Sequence, residues 1–341
     1  MKRRLRVIAG VAISALFLYL AARGIDWAEL GRLFSTANYV YLVPAFLLLI
    51  AINWVRAVRW RLLMYPDGGQ LSLPRVFWFV NIGYFFNNVF PAKLGEVVRG
   101  YLAGRVIPGG IGRALSALLL ERLLDVLSVV VLLVILIPFV DLPPWAMTGG
   151  LLFGGAAVGG TVALLVLSRF GDAGVTWLWR YVGRIPVVGH PKVRAAVENL
   201  VRGFGVLSMR RVLPGIILGS ALVWLGYGTF NYVIMAAFRM TYLPFSAAAL
   251  VLCATGFSMV LPSSPGAMGV FEWAGVQALA VYGVEQSLAF GYMLGLHLFT
   301  NLVLIAIGLL GLLVEGLSYA DLRGQMALPS AASPDSTATP S

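Results

Sequence analysis

Charge is scarce in this chain, and that scarcity decides its class. Charged residues make up 11% of the 341 and hydrophobic residues 60%, where a water-soluble domain carries about 25% charge. A soluble globule is excluded. The single cysteine, Cys253, excludes an intramolecular disulfide and any cysteine-built metal cluster. The two histidines, His190 and His297, lack metal-ligand spacing, so neither a metal nor another cofactor is expected. Lysine is nearly absent, at Lys2, Lys93 and Lys192, so the net charge of +11 is mostly arginine. Those arginines cluster in loops, where they set membrane orientation and touch anionic lipid at the cytoplasmic face. No nucleic-acid partner is expected.

What the chain does have is apolar runs. Several exceed the roughly 18 residues that mark a spanning helix. The run at 5–22 is too long for an ordinary signal peptide, and Ala-Ala-Arg-Gly at 21–24 is a poor cleavage site, so it is expected to remain as a helix. Further spans are expected at about 39–58, 112–138, 146–168, 212–238 and 287–314. Four positive charges precede the first span, which places the N-terminus in the cytoplasm. The loop at 23–38 balances its charges and suits the outer side. Arg56, Arg59 and Arg61 read as the cytoplasmic end of the second span. Eight basic residues against Asp172 and Glu198 make 169–211 the strongest cytoplasmic segment, with Trp177, Trp179 and Tyr181 expected along the headgroups. The C-terminus is expected in the cytoplasm too. Residues 1–320 form one transmembrane domain, and the small, polar tail at 321–341 is expected to be disordered.

Two apolar stretches are broken by polar and helix-breaking residues. The first carries Asn-Asn-Val-Phe-Pro-Ala-Lys-Leu-Gly-Glu-Val-Val-Arg from Asn87 to Arg99; the second carries Pro-Ser-Ser-Pro-Gly-Ala-Met-Gly-Val-Phe-Glu from Pro262 to Glu272. Residues 76–90 would reach roughly 22 Å as a helix, short of the roughly 30 Å hydrocarbon core. A re-entrant hairpin is the simplest geometry for 76–104, and 245–282 repeats the pattern from the opposite face. The expected fold is therefore all-α: a polytopic helical membrane protein with about six full spans and two opposed re-entrant hairpins. Opposed broken hairpins are the form of an inverted repeat with its site near the bilayer midplane.

Breaks and charges at membrane depth are tolerated mainly where they line a cavity or site. Ser264-Pro265 reads as an N-cap followed by proline at the first helical position, and Pro91 as the start of the first hairpin's second arm. Helix N-termini at mid-depth would favour an anion. Lys93 and Arg99 add fixed positive charge, with Glu96 expected to pair with Arg99 at i,i+3, and Asn87 and Asn88 expected to satisfy broken backbone. In the 112–138 span, Glu121 and Asp125 lie roughly 13 and 20 Å from Gly112 and share a face with Ser128, with Arg122 at its edge. Charges that deep should be paired, with Arg99 and Lys93 as the candidate partners. A static ion-pair network and a proton-exchanging carboxylate both fit. Glu272, alone among apolar neighbours, should be protonated or partnered. His297 and Asn301, at i,i+4 in the final span, fit an interhelical hydrogen bond.

The order Phe90-Pro91-Ala92-x-x-Gly95-Glu96-x-x-Arg99, then Glu121-Arg122-x-x-Asp125, then Ser264-Pro265-Gly266-x-x-Gly269-x-x-Glu272 resembles the flippase-like transmembrane family. That family comprises the membrane domain of lysylphosphatidylglycerol synthases and its stand-alone relatives. The resemblance runs over about 5–315. It implies a membrane domain that moves lipids or lipid-linked molecules between leaflets. It does not imply synthase activity, because no aminoacyl-transferase domain is expected after the last span. The family often shows Pro-Gly-Gly where this chain has Pro265-Gly266-Ala267, which puts a close backbone approach there in question.

The expected function is translocation of an anionic lipid, a phospholipid or isoprenoid-phosphate type, across the inner membrane, with the motif residues as the headgroup site. A solute transporter and an accessory protein of envelope-lipid synthesis, acting with a biosynthetic partner or as a homo-oligomer, are the alternatives. No nucleophile–base spacing suggests an enzyme.

Overall fold

The computed structural model describes residues 2–90, 94–142, 144–182, 203–258 and 265–317, with single positions 194, 198 and 201 between them. All regular structure among them is helical. The elements are α1 (Lys2–Ala22), α2 (Trp27–Thr36), α3 (Leu42–Leu63), α4 (Leu73–Val89), α5 (Leu94–Gly104), α6 (Gly110–Leu136), α7 (Pro144–Val182), α8 (Leu213–Ala237), α9 (Phe245–Ser258), α10 (Val270–Ala280) and α11 (Gln286–Val314). Four stretches among the described residues are long and apolar enough to cross a membrane: Tyr39–Leu63, Gly110–Phe139, Leu213–Ala237 and Gln286–Val314. Helices α1 and α7 occupy the places of the other two expected spans. Leucine, valine and aromatic side chains remain exposed along the spans, Val131 on α6, Leu225 on α8 and Leu302 on α11 among others. A bilayer, not water, is the solvent such a surface fits.

Two expectations about the connections change. The segment 23–38, expected as a loop on the outer side, contains a helix. Asp26 accepts hydrogen bonds from the backbone N–H groups of Ala28 and Glu29 at 2.9 and 3.2 Å, which satisfies donors that a helix start leaves open. The segment with Trp177, Trp179 and Tyr181 is not separate from the preceding span, because α7 runs unbroken for 39 residues. At about 1.5 Å per residue it is roughly 58 Å long, about twice the hydrocarbon thickness. The rest of the basic segment lies largely outside the described residues, as does the tail at 321–341.

The two broken stretches each form two short helices. At about 1.5 Å per residue, α4 reaches roughly 25 Å, α5 and α10 roughly 16 Å each, and α9 roughly 21 Å, so none crosses a 30 Å core alone. The arms of each pair pack against each other. Between α4 and α5 the contact is backbone to backbone: a Cβ added at Gly95 would lie 1.8 Å from the Gly83 carbonyl oxygen. The Asn87 side chain then accepts from the Gly95 N–H at 2.9 Å, across the break, as expected for a residue satisfying broken backbone.

The level of the two breaks can be read from α11. It packs antiparallel to α4, with Gly311 against Trp78 and Ile82, and Gly308 against Asn81 and Phe85. Two turns further back along α11, Asn301 comes level with the C-terminal end of α4, where the first break lies. Gly266, in the second break, faces Asn301. The two breaks therefore sit at one height, the first at the C-terminal end of α4 and the second packed against that helix.

Candidate functional site

The first cluster surrounds Glu121 and Asp125 on α6, both buried. Glu121 Oε2 accepts from Arg99 on α5 at 2.7 Å, the partnership expected from the sequence. Its other oxygen lies 3.4 Å from Arg56, 3.6 Å from Arg59 and 3.3 Å from Arg122. Asp125 bridges Arg56 at 2.8 Å, Arg59 at 2.7 Å and Arg122 at 3.3 Å. Arg56 and Arg59, read from sequence as the cytoplasmic end of the second span, point into the bundle rather than to solvent. They are buried, Arg59 completely so, because α3 packs its polar side onto α6 and α8.

Glu96 does not pair with Arg99. It faces Arg122 at 3.4 Å, and that pair is the partly exposed side of the cluster, with side chains 31% and 40% accessible. Arg99 instead turns inward and stacks on Trp60, its guanidinium carbon 3.8 Å from the ring centroid. Arg56 lies 5.6 Å from the Tyr84 ring and 5.7 Å from that of Tyr227, and it donates to the Tyr227 hydroxyl at 3.2 Å. Arg59 donates to Ser220 at 3.2 Å. Aromatic faces and hydroxyls are what weakly hydrated guanidiniums accept in an apolar setting.

The sum of these contacts is unbalanced. Among the described residues, four guanidiniums (Arg56, Arg59, Arg99, Arg122) meet three carboxylates (Glu96, Glu121, Asp125), an excess of one positive charge. Among the described residues, the Nε–H groups of Arg56, Arg59 and Arg99 find no acceptor, and neither does the buried Tyr84 hydroxyl. Buried donors without acceptors are rare in native proteins. This cluster can accept an anion.

The second cluster lies at the other break. Helix α10 does not begin at Ser264-Pro265. A 3₁₀ turn covers Pro265–Ala267, and the helix begins at Val270 behind Gly269, whose N–H donates to Glu272 Oε2 at 2.6 Å. Gly269 has φ +86°, and a Cβ there would meet the Ser14 carbonyl oxygen on α1 at 2.2 Å. Close backbone approach therefore occurs at Gly269. Ala267, the departure from Pro-Gly-Gly, adopts φ +58°, a conformation alanine takes at a cost of about 1–2 kcal/mol.

Glu272 is buried but not alone. Its Oε1 shares a hydrogen bond with His297 Nδ1 at 2.5 Å, and His297 Nε2 donates to the Gly266 carbonyl at 2.8 Å. The Phe271 ring lies tilted against the imidazole at 4.5 Å. His297, expected to make a hydrogen bond within the bundle, makes two, both to the broken hairpin.

Of the other residues read from sequence, Asn88 is half-buried in the last turn of α4. Pro91, Lys93 and Ser264 lie outside the described residues. The sequence reading missed Arg56, Arg59 and His297 as site residues. The polar positions Asn53, Arg56 and Arg59 recur every three residues along α3, a periodicity that pointed inward. Asn53 is buried and donates to Asn81 on α4 at 2.9 Å.

The family model of the lysylphosphatidylglycerol synthase TM region matches residues 7–308. The chain belongs to that family. Among curated relatives, it is 28% identical over 315 residues to the glycosyltransferase AglD of Haloferax volcanii, covering 80% of this chain and 48% of the relative. It is 29% identical over 117 residues to the UPF0104 membrane protein MJ1595 of Methanocaldococcus jannaschii, covering 33% of this chain and 34% of the relative. A second protein of that organism, the UPF0104 membrane protein MJ1078, is 23% identical over 230 residues, covering 66% and 91%. The chain thus spans about a third of MJ1595 and about half of AglD. No solved structure matches. The family and the apolar helices make the chain an integral membrane protein.

Proposed function

We propose that this protein is a lipid translocase that moves an anionic lipid, a phospholipid or isoprenoid phosphate, between leaflets. It acts by moving lipid rather than by transforming it. The observation that carries this reading is the unbalanced arginine cluster. An excess positive charge and unsatisfied guanidinium donors lie among apolar helices beside a helix break, open at Arg122 and Glu96. Leaving a charge unneutralised at such a depth is unfavourable by about 2.5–3.5 kcal/mol. A headgroup phosphate supplies the missing anion with several acceptor oxygens, while its acyl chains stay in the bilayer. The family's name joins this membrane region to a phospholipid synthase, and one relative is named as a glycosyltransferase. A shared membrane region beside two such activities supports a role in handling the lipid itself. In this reading the hairpins enter from opposite faces of the inner membrane, with both termini in the cytoplasm.

The test is reconstitution. Purified full-length protein is expected to carry an anionic lipid identifiable by mass spectrometry. In vesicles it should speed transbilayer movement of that lipid class, and Arg99→Ala should slow this tenfold or more. Normal movement in a monodisperse Arg99→Ala protein would refute the assignment.

A further inference from the structure

The proton count at Glu272 and His297 is fixed by their partners. A carbonyl oxygen only accepts, so His297 Nε2, 2.8 Å from Gly266 O, must carry a hydrogen. Between Nδ1 and Glu272 Oε1, at 2.5 Å, two acceptors would repel, so one more proton lies there. It resides on nitrogen, giving imidazolium and carboxylate, or on oxygen, giving two neutral groups. Either way the pair carries two protons and no net charge.

We propose that this pair is a proton-binding site that governs the second hairpin break. When the shared proton leaves, Glu272 is a carboxylate and His297 a neutral imidazole whose Nδ1 lone pair faces it. The contact becomes repulsive and the pair carries one negative charge in an apolar setting. Both ends of the pair hold the break: Glu272 accepts from the Gly269 N–H, and His297 donates to Gly266. Loss of the proton therefore turns the α10–α11 link between Glu272 and His297 repulsive and leaves the His297 Nε2–H bond to Gly266 as the remaining tie of this clasp; its return restores both. Coupling of this step to lipid movement rests on the translocase reading; the proton site itself does not.

The surroundings leave this pair as the group that exchanges. On α4, Arg75 pairs with Glu315, and Tyr84 faces Arg56. On α9, Cys253 contacts the Val129 carbonyl. On α11, Tyr292 donates to Asn231 O. On α2, Glu29 and Arg32 pair with each other. The described side chains of α1 include Tyr19, which is exposed. Helix α8 brings Tyr227, held by Arg56, and Tyr232. No other ion pair among the described residues involves Glu272 or His297. Glu121 and Asp125, by contrast, each lie within 4 Å of three or four guanidiniums.

The chain has two histidines, so a His190→Gln variant leaves His297 as the single imidazole. With ¹⁵N-histidine label and the full chain in phosphatidylcholine–phosphatidylglycerol nanodiscs, NMR between pH 4 and 9 should show one proton lost from the pair. Nε2 should stay protonated throughout, and Glu272→Gln should shift the midpoint by a unit or more. A His297 that does not titrate, that loses the Nε2 proton, or that ignores Glu272→Gln overturns the site. In 3:1 phosphatidylcholine–phosphatidylglycerol vesicles carrying fluorescent phosphatidylglycerol, an imposed pH gradient should change the translocation rate several-fold, and Glu272→Gln should abolish that response. Movement that ignores the gradient in the unmodified protein overturns the coupling. If the unmodified protein moves no lipid, the translocase reading fails, and the NMR result still decides the proton site.

Discussion

The two broken stretches each pack two short helices against each other, and their surroundings are opposite in electrostatics. Beside the first, four arginines outnumber three carboxylates; beside the second, one carboxylate and one imidazole share a proton and sum to zero. Arginine cannot give up its proton under ordinary conditions, so the first cluster keeps its positive charges, which the proposed anion would offset. Histidine and glutamate can change protonation, which is what the proposed proton site at the second uses. A fixed field suits binding and a variable one suits switching. The same hairpin geometry thus presents two kinds of chemistry, and α4 separates them: it packs against α3 and α5 on the arginine side and against α11 on the histidine side.

The sharpest way to break this contrast is to remove the central anion of the first cluster. Glu121→Gln leaves Arg99 without its 2.7 Å partner in a buried setting, and loss of one member of a buried pair costs about 3–5 kcal/mol. A large fall in thermal stability in detergent is expected, partly reversed by added anionic lipid. Arg122→Ala probes the open side. Its side chain is 40% accessible, so stability should change by no more than about 1 kcal/mol, while retention of anionic lipid through purification falls roughly tenfold by mass spectrometry. If both variants behave alike, the cluster is a structural brace rather than a binding site. The smallest effect is expected at Ala267→Gly, which relieves a left-handed alanine but adds freedom to the unfolded chain. A gain of about 0.5 kcal/mol, read as a slightly higher Tm, would show that the second break is strained at this residue.

The backbone plan was legible in the sequence because proline and glycine inside an apolar run stop a helix before it can cross the bilayer. The arms at 76–90 and 245–261 correspond to α4 and α9, and Asn87 bridges the first break as its position suggested. The starts of α5 and α10 were less legible. Proline and serine signal a helix start by local preference, but the second break continues through Gly266 and Ala267 until Glu272 caps Gly269. Partners were the least legible. Arg99 finds Glu121 as charge alone would predict, yet Glu96 turns to Arg122, three residues of helix geometry yielding to a neighbour on α6. Arg56 and Arg59 close an apolar run, the place where arginine usually meets water, and only the packing of α3 on α6 buries them. His297 was read as a helix-to-helix bond because nothing in sequence order brings it to Glu272.

The tight clasp on α4 has a thermodynamic consequence. Glycines bring its backbone against α5 at Gly83 and Gly95, and against α11 at Gly308 and Gly311, so α4 cannot shift on one flank without being felt on the other. A ligand that displaces α4 from one side therefore changes the free energy of occupancy on the other. By linkage the effect is mutual: whatever factor protonation imposes on anion affinity, bound anion must impose on proton affinity.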